Sequence, residues 1–248
     1  MKTCWTNKIT AQFRIWLQGY AAVYAAPSGE HYPLHPQEIA AVAHAMKQRR
    51  ADFIAARWCA HRALDAIGKS VPVIAQGALG RPQWPTGVTG SITHESGICI
   101  AMAARTHYLP DAGIDLFDSR RSTDMQSIKN LVLAEREHGG ASTIYGQDRT
   151  KLIFCIKEAV IKAVSLYAGR FMDMRDIVLD IGQEHFAARI DELPTFVYGY
   201  WSAIGPFLLS LGMRGATQWH HPHSELASGN PSCIHELNDR SHHGKQLG

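Results

Sequence analysis

The sequence predicts an α+β protein made of two similar α/β halves that meet near residue 110. Three observations carry that prediction. Stretches with helical periodicity and stretches with strand character follow one another as strand, helices, strands, and then helices and strands again. Gly and Pro cluster over 77–90, and a further turn falls at Pro110-Asp111, so the middle of the chain is punctuated. From about Gln218 the chain turns to His, Ser, Asn, Pro and Gly with little apolar content. These bounds divide it into 1–110, 111–217 and a disordered, His-rich tail over 218–248. No close internal sequence repeat accompanies the two halves.

Residues 1–30 read as mixed strand and loop: Phe13-Arg14-Ile15-Trp16-Leu17 alternates, and 21–26 is small and apolar. Pro36-Gln37-Glu38 opens a helix, since proline suits a first turn, and Ile39, Val42, Ala45 and Met46 keep helical spacing. The pattern resumes at Phe53, Ile54, Ala56, Ala60, Ala63, Leu64 and Ile67, and Gly68 ends it as a helix cap. Arg50, Arg57 and His61 fall near one polar edge of that helix. A short strand is expected over 71–74, then loop to Gly90. A strand begins at Ser91-Ile92-Thr93-His94, and a buried one continues over 98–103. The stretch 113–117 is expected to pair with it as an antiparallel neighbour. Helices follow over 125–138 and 152–167, the second with Ile153, Ile156, Val160 and Val164 as its core stripe. Strands are expected over 177–181 and 186–190, and a closing hairpin over 197–202 and 206–212.

Composition narrows the class. A 46% hydrophobic and 19% charged chain of 248 residues is a globular protein with a sizeable core. A net charge of +3 does not mark a nucleic-acid binder, but Lys47, Arg49, Arg50, Arg57 and Arg62 crowd one segment and favour a local anionic ligand. The five cysteines are scattered without a CxxC pair, which reads as buried free thiols. No signal peptide and no apolar run of roughly 18–20 residues is present, so a cytoplasmic protein without membrane insertion is expected. Six histidines in the tail suit adventitious metal binding.

Three stretches could carry chemistry. In 113–118, Ile114 and Leu116 share one strand face and Asp115 takes the other, where a carboxylate meets solvent or a site. Glu158 and Lys162, four apart on a helix, share a face beside Lys157; alone they are an ion pair worth a few tenths of a kcal/mol. His94 follows a Gly/Pro-rich loop at a strand mouth, where it could cap the loop or, with Arg50, Arg57 and Arg81, hold phosphate. His94, Glu95 and Asp115 match no zinc-ligand spacing.

Taken together these stretches resemble 4′-phosphopantetheinyl transferases of the Sfp/EntD type. The residues are Arg50-x-x-Phe53-x-x-x-Arg57-x-Cys59-Ala60-x-x-Ala63-Leu64-x-x-x-Gly68, then Gly80-Arg81-Pro82-x-Trp84-Pro85-x-Gly87-x-x-Gly90-Ser91-Ile92-Thr93-His94, then Gly113-Ile114-Asp115 and Lys157-Glu158-Ala159-x-x-Lys162-Ala163. The run from Trp84 to His94 most resembles the enterobactin-type members. The resemblance implies a pseudo-twofold fold with its active site in the cleft between a coenzyme A-binding N-terminal half and a Mg²⁺-binding, catalytic C-terminal half. It implies transfer of the phosphopantetheine arm of coenzyme A to a serine of an apo acyl or peptidyl carrier protein, with release of adenosine 3′,5′-bisphosphate. The pathways implied are siderophore, non-ribosomal peptide or polyketide synthesis, served by a monomer. Carried over by position, Arg57, Arg50 and Arg81 would hold the 3′-phosphate, and His94 and Lys157 would also bind coenzyme A. Asp115 and Glu158 would hold Mg²⁺ on the pyrophosphate, as hard oxygen ligands suit a hard cation. Glu158 would take the proton of the carrier serine, and Lys162 would neutralise the leaving side.

One position departs from the family's pattern. A second carboxylate usually follows two residues after the aspartate, on the same strand face, and here Phe117 stands there. A phenyl ring cannot ligate Mg²⁺, and Asp118 is one residue out of phase. Glu95, immediately after His94, is the expected substitute, bound directly or through water. Two rivals remain: a non-catalytic homologue that binds coenzyme A or a carrier protein, and a metal hydrolase with a denser ligand set than this chain offers. The apolar stripe of Ile128 and Leu131-Val132-Leu133 suits core packing or a carrier-protein helix.

Overall fold

Each half is a sheet with a long helix laid on its outer face, and the two sheets share an apolar core. The computed structural model describes residues 2–77, 80–121, 125–191 and 193–215, apart from the side chains of 2 and 125–127. The tail expected over 218–248 lies outside the described residues.

The first element corrects the sequence expectation. Lys2–Leu17 is a helix (α1), followed by β1 (Ala21–Pro27). The alternation in Phe13–Leu17 misled because Ile9, Phe13 and Leu17 also fit a four-residue period, and all three are buried. Each such side chain contributes about 1.5–3 kcal/mol of burial. Pro36–Ala40 (α2) is a single turn capped by the His35 ring, after which the chain turns rather than continuing to Met46. Lys47–Ala66 (α3) ends as expected: Gly68 is left-handed (φ 66°), and the amides of Gly68 and Lys69 donate to the carbonyls of Asp65 and Leu64. Residues 71–74 are not a strand. Ile74 N instead donates to the buried carboxylate of Glu38, which also takes a bond from His61 Nε2 at 2.8 Å.

Strands β2 (Val88–Glu95) and β3 (Ile98–Arg105) form a hairpin, and β1 pairs with β3 on its other side. β3 is covered on both faces. Ile98, Ile100, Met102 and Ala104 enter the central core, while the small residues Cys99, Ala101 and Ala103 face α3, which can therefore lie close.

β4 (Ala112–Asp118) does not join this sheet, contrary to expectation. It pairs with β10 (Phe207–Gly215) at the edge of a five-stranded sheet ordered β4-β10-β9-β8-β7, where β7 is Ile177–Ile181, β8 His185–Ile190 and β9 Phe196–Ile204. Partner choice among strands is set by tertiary packing, and β3 has already spent both edges on β1 and β2. Between β4 and β7 come α4 (Met125–Val132), a 3₁₀ turn at Glu135–Glu137, a two-residue ribbon of β5 (Thr143–Ile144) and β6 (Gln147–Asp148), α5 (Arg149–Ala168), and a 3₁₀ turn at Met174–Asp176. Val132 and Leu133 are core residues against Ile153, whereas Leu131 is exposed. α5 covers the outer face of the five-stranded sheet, and α1 lies over both sheets, with Ile9 and Phe13 in one cluster with Ile100, Ile114 and Leu209. The two sheets are thus joined by a common core. Cys59, Cys99 and Cys155 are buried thiols, while Cys4 is exposed.

Candidate active site

The close approach of α5 to β4 builds the site. Gly113, Gly212 and Gly199 lie in register across β4, β10 and β9; the first two lie under Ala159 of α5, and Gly199 lies against the Phe186 ring. A Cβ on Gly113 would sit 2.6 Å from Ala163 N and 2.7 Å from Lys162 Cβ, and closer still to the Ala159 carbonyl oxygen. Glycine is therefore required there by helix–sheet contact, not by a special φ. With α5 seated, Lys162 Nζ donates to Asp115 Oδ1 at 2.6 Å and to the Ile114 carbonyl at 3.2 Å. Asp115 is 5% exposed.

Asp115 is also held from the other half. Thr93 Oγ1, on β2, donates to the same Oδ1 at 2.9 Å. Ser91 Oγ accepts from Ile114 N at 3.0 Å, and Ser96 Oγ donates to Asp118 Oδ2 at 2.8 Å. The three contacts advance along both strands together, so β2 and β4 run side by side in the same direction, joined by side chains rather than a backbone ladder. Glu95 accordingly lies level with Phe117.

Glu158, one turn before Lys162 on α5, is partly buried and takes no hydrogen bond from any described residue. Burial pushes its carboxyl above the ordinary glutamate range; the Lys162 ammonium pulls it back, and Asp115 adds to the rise. Burial works against the Lys162 ammonium, but the carboxylates of Asp115 and Glu158 outweigh it and hold the group protonated above its usual range. His94 is exposed at the end of β2. Partial desolvation lowers its imidazole, Asp52 and Glu95 oppose that, and Arg49 and Lys162 reinforce it. A cleft of about 520 Å³ opens beside this group, lined by Arg81, Trp84, Ser91, Lys162, Leu166 and Phe171 among others. Arg81 crosses the seam, donating to the Ser165 carbonyl at 2.8 Å. Gly90 admits the Trp84 indole against β2, where a Cβ would come within 2.7 Å of the ring.

Asp115, Glu158, Lys162, His94 and Arg81 are thus brought to one seam. Lys157 and Arg57 stand elsewhere than the sequence suggested. Lys157 is fully buried on another face of α5, its ammonium bonded to Glu137 (2.5 Å) and to the carbonyls of Val132 and Met174. With three donors occupied it has none left for a cofactor, because adjacent helix positions point about 100° apart. Arg50 is exposed and is not among the groups acting on His94; Arg49 is. Arg57 is 3% exposed, donates to the Ile74 carbonyl at 3.0 Å and lies over the Phe53 ring, inside the N-terminal half rather than on the cleft lining. Glu95 is ion-paired with Arg121 at 3.0 Å and accepts from Ser96. Phe117 is buried edge-on to Phe154 in the core under α5. Among the described residues, no three His, Cys, Asp or Glu side chains are gathered as a cation cage.

Sequence reasoning placed Arg49 among the basic residues facing an anionic ligand but not beside His94, and it gave Thr93 and Ser91 no role of their own. The place of Arg49 was within reach of it: positions 49, 52 and 56 share a helix face, and Ala56 packs by Ile92, two residues before His94 on one face of β2. Nothing in the sequence marked Thr93, because its partner lies 22 residues away on a strand of another sheet.

Two sheet-and-helix halves thus meet at a seam that carries a carboxylate–lysine constellation beside an apolar-walled cleft. Residues 37–104 match the family model of the 4′-phosphopantetheinyl transferase N-terminal domain. Three characterised relatives carry the same name: Npt of Nocardia iowensis (34% identical, over 54% of this chain and 60% of that one), PptT of Mycobacterium tuberculosis (33%; 63% and 68%) and Svp of Streptomyces mobaraensis (31%; 73% and 76%). The chain belongs to the 4′-phosphopantetheinyl transferase family.

Proposed function

We propose that this protein moves the 4′-phosphopantetheine arm of coenzyme A onto a serine of an apo acyl or peptidyl carrier protein, releasing adenosine 3′,5′-bisphosphate, as an Sfp/EntD-type member. The observation that carries the reading is the Asp115–Lys162 pair with Glu158 one turn away, at a seam that also presents Arg81 and His94. Asp115 and Glu158 offer two hard-oxygen donors, which suits Mg²⁺, a cation held by one or two carboxylates and completed by substrate phosphates and water. Bound there, Mg²⁺ would neutralise pyrophosphate charge. Glu158 accepts the proton of the carrier serine, and its raised carboxyl pKa makes it a stronger base for that task. The serine oxygen forms a bond to phosphorus as the bond to the bisphosphate oxygen breaks, and Lys162 offsets the charge growing on the leaving side. Arg81, with Arg49 near His94, supplies positive charge for the nucleotide phosphates, and His94, its imidazole kept neutral by partial desolvation, offers a hydrogen bond. The water or carboxylate that stands in for the missing ligand at Phe117 has its nearest candidate in Glu95, once Arg121 releases it.

The partners proposed are carrier domains of siderophore, non-ribosomal peptide or polyketide synthesis, met by a monomer in the cytoplasm. No helix among the described residues is long and apolar enough to cross a membrane. The buried Phe117 favours one alternative, a homologue that binds coenzyme A or a carrier without transfer. The deciding experiment incubates the protein with coenzyme A, Mg²⁺ and a panel of apo carriers, and weighs the carriers. A phosphopantetheine mass gain on any carrier supports transfer, and none across a broad panel favours the alternative.

A further inference from the structure

We infer that Thr93 is a positioning residue, which holds the Asp115 carboxylate from across the seam. This rests on the reading of Asp115 as part of the Mg²⁺ and pyrophosphate site. The hydroxyl is buried with its carboxylate, Thr93 being 3% and Asp115 5% exposed, so no water substitutes readily for the bond. Two donors from different halves, Thr93 Oγ1 on β2 at 2.9 Å and Lys162 Nζ on α5 at 2.6 Å, converge on the single oxygen Oδ1. Convergence on one oxygen fixes the rotation of the carboxyl about its last bond and leaves Oδ2 outside that pair of bonds.

Lys162 cannot do this alone. Its flexible stem follows the carboxylate wherever it turns, whereas a threonine on a strand has a stiff χ1 and a fixed reach. The carboxylate also needs an external brace because β2 and β4 share no backbone ladder. At this edge the halves meet through Ser91, Thr93, Ser96 and the Glu95–Arg121 pair, and of these Thr93 is the one bonded to the Asp115 carboxylate. Thr93 directly precedes His94, so the segment that presents the imidazole to the nucleotide phosphates also sets the carboxylate on the other half.

The test uses the full chain and two substitutions. Thr93→Val keeps the branched shape and removes the hydroxyl; Thr93→Ser keeps the hydroxyl and trims a methyl. Direct Mn²⁺ binding, followed by the free-ion electron paramagnetic resonance signal with coenzyme A present, needs no turnover. Thr93→Val is expected to weaken Mn²⁺ binding about tenfold and to lower kcat about tenfold or more, with KM for coenzyme A within about twofold. Thr93→Ser is expected within about threefold of the parent in both. A parent that binds Mn²⁺ but transfers to no carrier removes the transfer reading and leaves this inference to the Mn²⁺ comparison. Equal Mn²⁺ binding by parent and Thr93→Val, no binding by either, or a Thr93→Ser variant as weak as Thr93→Val would each overturn it.

Discussion

Replacing Gly113 by alanine tests how the site is assembled. The added Cβ would lie 2.6 Å from Ala163 N, 0.8 Å short of an ordinary 3.4 Å contact, against backbone that cannot swing aside. α5 must therefore retreat by at least that distance, which shifts the backbone that carries Glu158 and Lys162 relative to Asp115. Overpacking of this kind costs about 1–3 kcal/mol, or a Tm loss of about 2–12 °C in a domain this size. Misplacing catalytic groups by about 1 Å lowers rate by about 100-fold. Gly212→Ala is the internal control, since a Cβ there meets nothing closer than the Val197 side chain at 3.1 Å and the Ala159 backbone at 3.4 Å. Thermal unfolding and carrier-mass assays on both variants should show a large loss for Gly113→Ala and a small one for Gly212→Ala. A Gly113→Ala protein with parental Tm and rate would refute the account of α5 seated on a glycine row.

Three further outcomes follow from the site's surroundings. Lys157→Met strands the Glu137 carboxylate in the core and should destabilise the protein by about 3–5 kcal/mol in denaturant titration; unchanged stability with a raised KM for coenzyme A would return Lys157 to the cofactor. Arg49→Ala should weaken coenzyme A binding by about tenfold in calorimetry while Arg50→Ala changes it less than about twofold, and the reverse order would restore the sequence-based choice. Asp118 is held down to about 2 by its bonds to Arg120 and Ser96. A depressed carboxylate stabilises the fold above its unfolded value of 3.8 and loses that contribution as pH falls toward 2. Asp118→Asn should therefore lower Tm at pH 7, with the gap closing between pH 4 and 2; a pH-independent gap would mean that Asp118 acts through something other than its charge.

What the chain determines alone is its punctuation and its local chemistry. Gly68 closes α3 as a left-handed cap, the all-apolar run over 98–103 reads as a buried strand, and Glu158 and Lys162 share a helix face by the period of the helix. Those features depend on residues a few positions apart, so sequence spacing reads them directly. The first helix was hidden because Phe13–Leu17 satisfies two periods at once, and only the core shared by both sheets selects the helical one. Tertiary structure decided which strand β4 joins and which way Lys157 points. It also placed Thr93 on Asp115 across the seam. Each of these depends on the distance between residues far apart in the chain, which the close seating of α3 and α5 on their sheets sets and local spacing does not encode.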